Sequence, residues 1–511
     1  MTDKIIVSKR NESQLNIDCE NSILRELAEN FTFYVDGYKH MPKFKAGVWN
    51  GQICLLDLRF GTLPLGLYNN LKKCAEELEY EVEARSNEFG SPSDKDCVSK
   101  EEVISFIDSL NIHANGNPIT ARDYQIEAIH LAINDQRKIL IVPTAGGKSF
   151  IGAVLMRWYL DKGCNHVLYV VPTLGLLNQI KADLEDYFSE SDFIVSDNIQ
   201  LMGDGRSREI TKPIVFSTWQ SIYKLPNSWY NSVDVIIGDE AHSYKADAAK
   251  GIFEKATNTK YKFGMTGSLD KSVTNKMVLE GIIGESYQIR TTRELIDDGS
   301  LSDLKIKCLL LKYGKETKKL FKQTAIANHV SKVEYPDEIT FLCAHDKRNK
   351  FIRNLALIQK GVTLILFNQI EHGKLIFESI KSKATTQDVY YISGEVDATK
   401  REEIRNICKN CTGDAILVAS MKTTSTGINV PNISNIIFAH PTKSVISVMQ
   451  SIGRGLRKAE GKKYLTLYDI ADAINTSKTS ANHTFRHFSD RLQIYCNEEH
   501  PYDLLEVELE K

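Results

Sequence analysis

The sequence predicts an α/β protein: two parallel-sheet domains in tandem, preceded by a small α+β domain and followed by a short helical extension. Three observations carry this. From about residue 101 to 290, apolar β-type runs alternate with helical ones: 138–142, HVLYVV (166–171), PIVFS (213–217), VDVIIG (233–238) and YKFGM (261–265). A second series follows, with LKIKCLLL (304–311), VTLILF (362–367), VYYIS (389–393), AILVA (415–419), NIIFA (435–439) and YLTLYDI (464–470). Runs apolar on both faces belong in parallel sheets covered by helices on either side. The polar stretch RSNEFGSPSDKD (85–96) reads as a linker.

Taken in order, residues 1–90 form the α+β domain, with one helix expected over LYNNLKKCAEELEYEVEA (67–84). Residues 101–295 and 296–480 form the two α/β domains, and 481–511 a helix and an acidic tail. Two α/β domains in tandem create a cleft, a common place for a ligand. The chain of 511 residues has room for this many domains, and 42% hydrophobic with 25% charged residues is ordinary for a globular protein. No apolar run approaches the roughly 20 residues that span a bilayer, and MTDKIIVSKRNESQ has no signal-peptide core, so a cytoplasmic protein without membrane contact is expected. The net charge of −2 gives no global attraction to polyanions, so any nucleic-acid contact must come from a local basic surface. The ten cysteines are scattered, and Cys408 and Cys411 form one C-x-x-C without a second pair to complete a zinc site.

The chemistry begins at KILIVPTAGGKSFIGAVLMRWYL (138–160). Ile139 to Val142 reads as a strand, Pro143 punctuates it, and Phe150, Ile151, Val154, Leu155, Trp158 and Tyr159 recur at helical spacing. A helix N-terminus presents free backbone N–H groups, and Gly146 and Gly147 let the backbone curl close to a phosphate. Lys148 would reach the β and γ phosphates and Ser149 would ligate Mg²⁺. Val142 stands where the full phosphate-loop pattern has its first glycine. The bland alternative is a glycine-rich turn with an exposed lysine.

Downstream, VDVIIGDEAHSYK (233–245) puts Asp239 and Glu240 at the end of a buried strand. Adjacent acids there suit Mg²⁺-ATP hydrolysis, with Asp239 on the metal and Glu240 orienting and deprotonating the attacking water. A solvated strand-end turn is the alternative. In SVMQSIGRGLRK (447–458), Arg454 and Arg457 are three apart on one helical face, with Gln450 one turn before Arg454. Arginines from the second domain can stabilise the developing charge on the γ-phosphate; a basic helical surface is the plain reading.

Taken together, these segments resemble the superfamily 2 helicases. ARDYQIEA matches the adenine-contacting motif, with Arg122 and Gln125; PTAGGKS is motif I, with Thr144, Ala145, Gly146, Gly147, Lys148 and Ser149. VVPTLGLLNQ, STWQS, DEAH and MTGSL follow as motifs Ia, Ic, II and III. LILFNQIEHG, YYISGEVDATKR, TTSTGINVPN (with Gly427) and QSIGRGLR follow as motifs IV, IVa, V and VI, so the match covers roughly 120 to 460. Motif I departs from the common T-G-x-G-K-T, with its inner glycine displaced to Gly146, and motif III reads Thr266-Gly267-Ser268 rather than S-A-T. The resemblance implies RecA-like motor domains, ATP and Mg²⁺ as cofactors, and hydrolysis coupled to movement along a strand.

Closer still, the chain is similar to the UvsW helicases of T-even bacteriophages, through DGYKHMPKFKAGVWNGQICLLD, LPLGLY, YYISGEV, STGI and GRGLRK. That resemblance implies an enzyme acting on branched and single-stranded DNA in recombination, replication and repair: fork regression, Holliday junction migration, and unwinding of R-loops and D-loops. RNA–DNA hybrids and a single-stranded-DNA-binding protein are implied partners, a monomer the working form, and the host cytoplasm the place if the gene is a phage's. The strand would contact Pro172 and Thr173, Thr218 and Trp219, Gly394, and Thr426, where hydroxyls, backbone N–H groups and glycines suit phosphate contacts. In the amino-terminal domain Tyr38, Lys39, His40, Lys43, Phe44, Lys45 and Trp49 interleave basic and aromatic groups. Such a pattern suits nucleic acid, although a hairpin core with lysines on its wet face has the same pattern. Another motor of the same superfamily, an RNA helicase or a restriction-type translocase, is the first rival reading. A non-enzymatic nucleic-acid-binding scaffold with a decayed motor is the second.

Overall fold

The computed structural model describes residues 4–510, except 86–96, 204, 246, 270–271, 328–332, 412, 422, 424–429, 431, 442–451, 454, 459–461, 463 and 475–480. The chain forms two compact units, a first spanning Met1–Val142 and Gly147–Arg290 and a second containing Thr291–Lys511. None of the described helices is long and apolar enough to cross a membrane.

The first unit opens with the expected α+β domain. Strands β1 (Lys4–Lys9) and β2 (Gln14–Asp18) form an antiparallel hairpin, β3 (Thr32–Tyr34) pairs with β4 (Gln52–Cys54), and β5 (Thr62–Pro64) and β6 (Glu81–Ala84) complete a sheet of order β5-β2-β1-β6. Alternation along β1 and β2 sends Ile5, Val7, Leu15 and Ile17 into a core with Leu24 and Leu27 of helix Asn21–Asn30 and Leu71 of helix Tyr68–Glu77. The helix expected through residue 84 ends at Glu77, because Glu79 turns the chain at φ +61° and EVEA becomes β6, parallel to β1. Pairing with β1 and the Lys4–Glu83 ion pair override the weak helical preference of this acidic stretch.

This domain is bolted to the sheet that follows. Buried Lys262 donates to the carbonyl oxygens of Glu12 (3.0 Å) and Phe253 (2.9 Å) and to Ser13 Oγ (2.8 Å). Arg137 Nη1 donates to the Glu12 carbonyl at 2.7 Å. The Lys262 ammonium is pushed well below its ordinary pKa, first by burial and then by Arg137 beside it.

After the short pair β7 (His113–Ala114) and β8 (Asn117–Pro118) come β9 (Arg137–Ile141), β10 (Val167–Val171), β11 (Ile199–Met202), β12 (Ile214–Thr218), β13 (Val235–Asp239), β14 (Tyr261–Thr266) and β15 (Ser286–Gln288). The last seven form one sheet of order β11-β12-β10-β13-β14-β9-β15, every neighbour parallel. The expected runs supply its centre; the edge strands β11 and β15 are short and partly polar.

The second unit repeats the plan. Strands β16 (Asp303–Lys312), β17 (Val362–Phe367), β18 (Asp388–Ile392), β19 (Ala415–Ser420), β20 (Ile433–Phe438), β21 (Tyr464–Ala473) and β22 (Tyr502–Glu508) form a parallel sheet of order β18-β19-β17-β20-β21-β16-β22. These are the two RecA-like sheets. The expected helix lies at His483–Asn497, but the acidic tail after it is the edge strand β22, paired with β16 from Ile306↔Tyr502 to Lys312↔Glu508. Its acids are what an edge strand tolerates, and Glu506 pairs with Lys312.

Two buried ion pairs fasten helices to β21. Arg348 meets Asp472 through Nε–Oδ1 (2.8 Å) and Nη2–Oδ2 (3.0 Å), and Tyr313 donates to the same carboxylate at 2.7 Å. Arg491 of helix His483–Asn497 meets Asp469 through Nη2–Oδ1 (2.7 Å), and Tyr495 donates to Asp469 Oδ2 at 2.8 Å. Both arginines and both aspartates are buried.

Candidate nucleotide site and nucleic-acid surfaces

The site of the first unit lies at the carboxyl ends of β9 and β13, where open parallel sheets bind ligands. Chain leaves β9 through Val142, whose N–H still donates to Thr266 O at 2.9 Å, and enters helix Lys148–Asp161 after a tight loop closed by Gly146 N–H on Pro143 O (2.9 Å). Two residues of that loop are left-handed, Ala145 at φ +69° and Gly147 at φ +89°. The backbone at Gly147 favours glycine, and a Cβ there would stand 2.2 Å from Gln125 Nε2 and push the end of that side chain aside. Gln125 is buried and its Oε1 accepts from Arg122 N–H at 3.0 Å, while Arg122 Nη1 donates to Tyr124 OH at 3.0 Å. Gln125, named from the sequence with Arg122 as an adenine motif, packs against the loop at Gly147. The first-turn N–H groups of helix Lys148–Asp161 have no carbonyl one turn earlier to bond, which suits them to an anion. Lys148 Nζ rests 3.5 Å from Val142 O, at the mouth of the loop.

Asp239 ends β13 and is 4% exposed. Its carboxyl is pushed up to about 7, first by burial and then by the Glu240 charge; Lys148 and the Glu240 N–H, which donates to Asp239 Oδ1 at 2.8 Å, pull the other way. Glu240 itself is left-handed at φ +51°, and its buried Oε2 accepts no hydrogen bond from the described residues. That oxygen lies 3.4 Å from His242 Nδ1, which lies 2.9 Å from Thr266 Oγ1; the Thr266 hydroxyl donates to Ser268 O at 2.8 Å. Motifs II and III are therefore joined through one histidine. Gly238 serves packing, since a Cβ there would meet the Tyr244 ring at 2.8 Å.

Sequence reasoning missed Asp183, on helix Leu174–Tyr187, whose Oδ2 accepts from Ser149 Oγ at 3.1 Å. Asp183 also raises the Asp239 carboxyl. Its only signal was an acid on a helix following motif Ia, which reads as a solvated face. Ser149, Asp183, Asp239 and Glu240 all offer oxygen atoms, with Ser149 bonded to Asp183 and the Asp239 carboxyl raised by burial. Oxygen donors are the ligand type of a hard divalent cation such as Mg²⁺, but the three carboxylates do not stand within ligand reach of one another.

Other expected residues fall elsewhere. Thr173 Oγ1 caps helix Leu174–Tyr187 by accepting from Leu176 N–H at 3.3 Å, and Pro172 O accepts from Gln220 Nε2 at 3.1 Å. Thr218 is buried beside Ser221 Oγ (2.9 Å), and Trp219 packs on the core. Gly394 is exposed, with open space where a Cβ would stand. Arg457 lies in the second unit, its carbonyl accepting from Lys462 Nζ at 3.0 Å. Gln450, Arg454, Thr426 and Gly427 lie outside the described residues. Lys39, His40, Lys43 and Lys45 are exposed on two short helical turns, Tyr38–His40 and Pro42–Lys45, between β3 and β4. Tyr38 stacks on Tyr34 and meets the edge of Phe44, both at 4.8 Å between ring centres. The lobe is thus a small aromatic knot with its cations outward. Cys408 and Cys411 have carbonyls bonded by Asn432 Nδ2 (2.8 and 3.0 Å). Among the described residues the one group with metal-ligand proximity is instead Cys343, His372 and His440. Burial and the Arg348 guanidinium beside them hold these histidines neutral, His372 lowered to about 3 and His440 to about 4.

A parallel sheet with a Gly-Lys-Ser loop after one strand and paired acids after its next-but-one neighbour, followed by a second parallel sheet, defines the helicase class of nucleotide-driven motors. Family models match in the same order: DNA helicase UvsW, N-terminal, over residues 4–84; type III restriction enzyme, res subunit, over 118–271; and helicase conserved C-terminal domain over 346–459. The chain is 34% identical, over 97% of its length and 98% of the relative, to the ATP-dependent DNA helicase uvsW of Enterobacteria phage T4. It superposes on the crystal structure of T4 UvsW with a TM-score of 0.52 and 31% identity, over 99% of this chain and 100% of that one. A putative ATP-dependent helicase, IRC3 of Saccharomyces cerevisiae, is 25% identical over 70% of this chain and 52% of its own length. The chain belongs to the UvsW helicase family.

Proposed function

We propose that this chain is a branched-DNA remodelling motor: it regresses forks, migrates Holliday junctions and unwinds R-loops and D-loops. As a UvsW-type protein it is an ATP-dependent DNA helicase. The observation that supports the chemistry best is the convergence of Lys148, Ser149, Asp183, Asp239 and Glu240 around one helix N-terminus. In this reading the loop N–H groups and Lys148 bind the phosphates of ATP, and Ser149 and Asp239 hold Mg²⁺, which when bound neutralises charge developing on the γ-phosphate. Glu240 orients the attacking water and takes its proton. Its unbonded Oε2 is poised as an acceptor, and His242, bonded to Thr266, passes the state of this acid to motif III. Arg454 and Arg457 supply charge from motif VI.

For the branched substrate, support comes from the amino-terminal domain. It is fixed to the first sheet by Arg137 and Lys262, and it carries the outward cations Lys39, Lys43 and Lys45. A lobe fixed in this way holds a DNA arm at a set place relative to the sheet it rides on.

ATP hydrolysis by wild type and Lys148→Ala, each without nucleic acid and with single-stranded DNA, a four-way junction and single-stranded RNA at stated salt, tests the reading. Turnover fastest with DNA, junction included, and lost in Lys148→Ala is the expected result. Stimulation by RNA alone would move the chain to the RNA helicases. Absence of turnover with every polynucleotide would leave a scaffold.

A further inference from the structure

The second sheet carries a basic groove along one edge. At the amino-terminal ends of β16, β17, β20 and β21 a groove of about 560 Å³ is lined by Lys305, Lys307, Lys360, Lys462, Tyr464 and Tyr468 among others, with no acid in its wall among the described residues. Lys305 Nζ sits 3.9 Å above the Tyr464 ring and Lys307 Nζ 5.8 Å from the Tyr468 ring, so neighbouring strands hold these cations on rings rather than on carboxylates. Lys360 meets Asp414 (3.0 Å), which is not part of the wall. Lys462 stands half inside protein, its ammonium lowered to about 8 by burial. It also lines a smaller pocket of about 360 Å³ whose wall holds Lys458 and the acid Asp303.

Four lysines in one groove are a marked local excess in a chain whose net charge is −2. A lysine-rich wall with aromatic faces suits a phosphodiester backbone. The groove is not the strand track of the motor motifs. Gly394 follows the carboxyl end of β18, on the opposite edge of the same sheet, and six-residue β20 separates the edges by roughly 20 Å at about 3.3 Å per residue. We infer that this groove binds the phosphate backbone of a second DNA arm, so that the second unit holds one arm of a branched substrate on the edge opposite its motor motifs. This rests on the branched-DNA reading above.

The test is Lys305→Gln/Lys307→Gln, which removes two charges and keeps the stems on the tyrosines. Binding of a four-way junction and of single-stranded DNA is measured against salt, with ATP hydrolysis on single-stranded DNA alongside. The expected result is a junction salt slope shallower by about 2, at roughly 0.9 per phosphate contact. Single-strand affinity and strand-stimulated turnover stay within about twofold of wild type, which also shows that the variant is folded. Lys305→Glu alone should weaken junction binding further. If wild type prefers the junction and both variants keep its slope, or if single-strand binding falls equally, the groove assignment is overturned. If wild type itself shows no preference for the junction, the branched-DNA reading fails instead and the groove assignment falls with it.

Discussion

Gly147→Ala puts the phosphate loop to its sharpest test. The residue stands at φ +89°, where a side chain costs about 1–2 kcal/mol. The new Cβ would also lie 2.2 Å from Gln125 Nε2, so the buried amide must move and its 3.0 Å bond from Arg122 N–H breaks. An unsatisfied buried group costs about 1–3 kcal/mol more. The sum, about 2–5 kcal/mol, favours a relaxed loop over the phosphate-binding one, and at tenfold per 1.4 kcal/mol the competent form falls by about 30-fold or more. The assay is kcat/KM for ATP with saturating single-stranded DNA. Ala145→Gly is the control: Ala145 already stands at φ +69°, and relief of that strain roughly cancels the extra freedom glycine gives the unfolded chain, so activity should stay within about threefold. A Gly147→Ala enzyme within about threefold of wild type, or an Ala145→Gly enzyme as damaged as Gly147→Ala, would refute the account of the loop.

Asp183→Asn should raise the Mg²⁺ concentration needed for half-maximal turnover by about tenfold, typical of an outer-shell partner, with DNA affinity unmoved; an unchanged Mg²⁺ titration removes Asp183 from the site. Because the Asp239 carboxyl is raised from 3.8 to about 7, its contribution to stability is present below about pH 4 and is lost as pH rises through about 7. The metal needs the ionised form, so stabilisation by Mg²⁺, read as a melting shift, should be larger at pH 8 than at pH 6; equal shifts would count against the buried acid. Asp472→Asn strands the buried Arg348 cation and should cost the second unit about 3–5 kcal/mol in denaturant melts, whereas Arg348→Met/Asp472→Leu should recover most of it. Lys43→Gln/Lys45→Gln should lower the salt slope for junction binding by about 2; an unchanged slope would return that lobe to a purely structural role.

The central strands of both sheets were legible because they are apolar on both faces and need no partner to be recognised. What surrounds them was not. IQLM of β11 and SYQ of β15 are too short and mixed to carry a period, and β22 and EVEA of β6 are strands only because β16 and β1 offer an edge. In the candidate site, the glycine-rich strand-to-helix turn and the acids ending β13 were readable as local patterns. Asp183, and the bracing of Gly147 by Gln125, depend on helices distant in sequence meeting at one point. Buried Lys262 and Arg137 read as surface charges until the Glu12 carbonyl to which both donate is seen.

Strand β16 lies between β21 and β22, so Asp303 waits for Tyr464 and Ile306 for Tyr502. During synthesis both hydrogen-bonding edges of this ten-residue strand leave the ribosome long before either partner does. Pairings so distant along the chain form slowly and leave sticky edges in the interval. A translation pause or a nick between residues 312 and 464 would therefore spare the first sheet and leave the second an aggregation hazard. Yield of the intact protein should respond more to elongation rate and chaperone supply than to any single core contact.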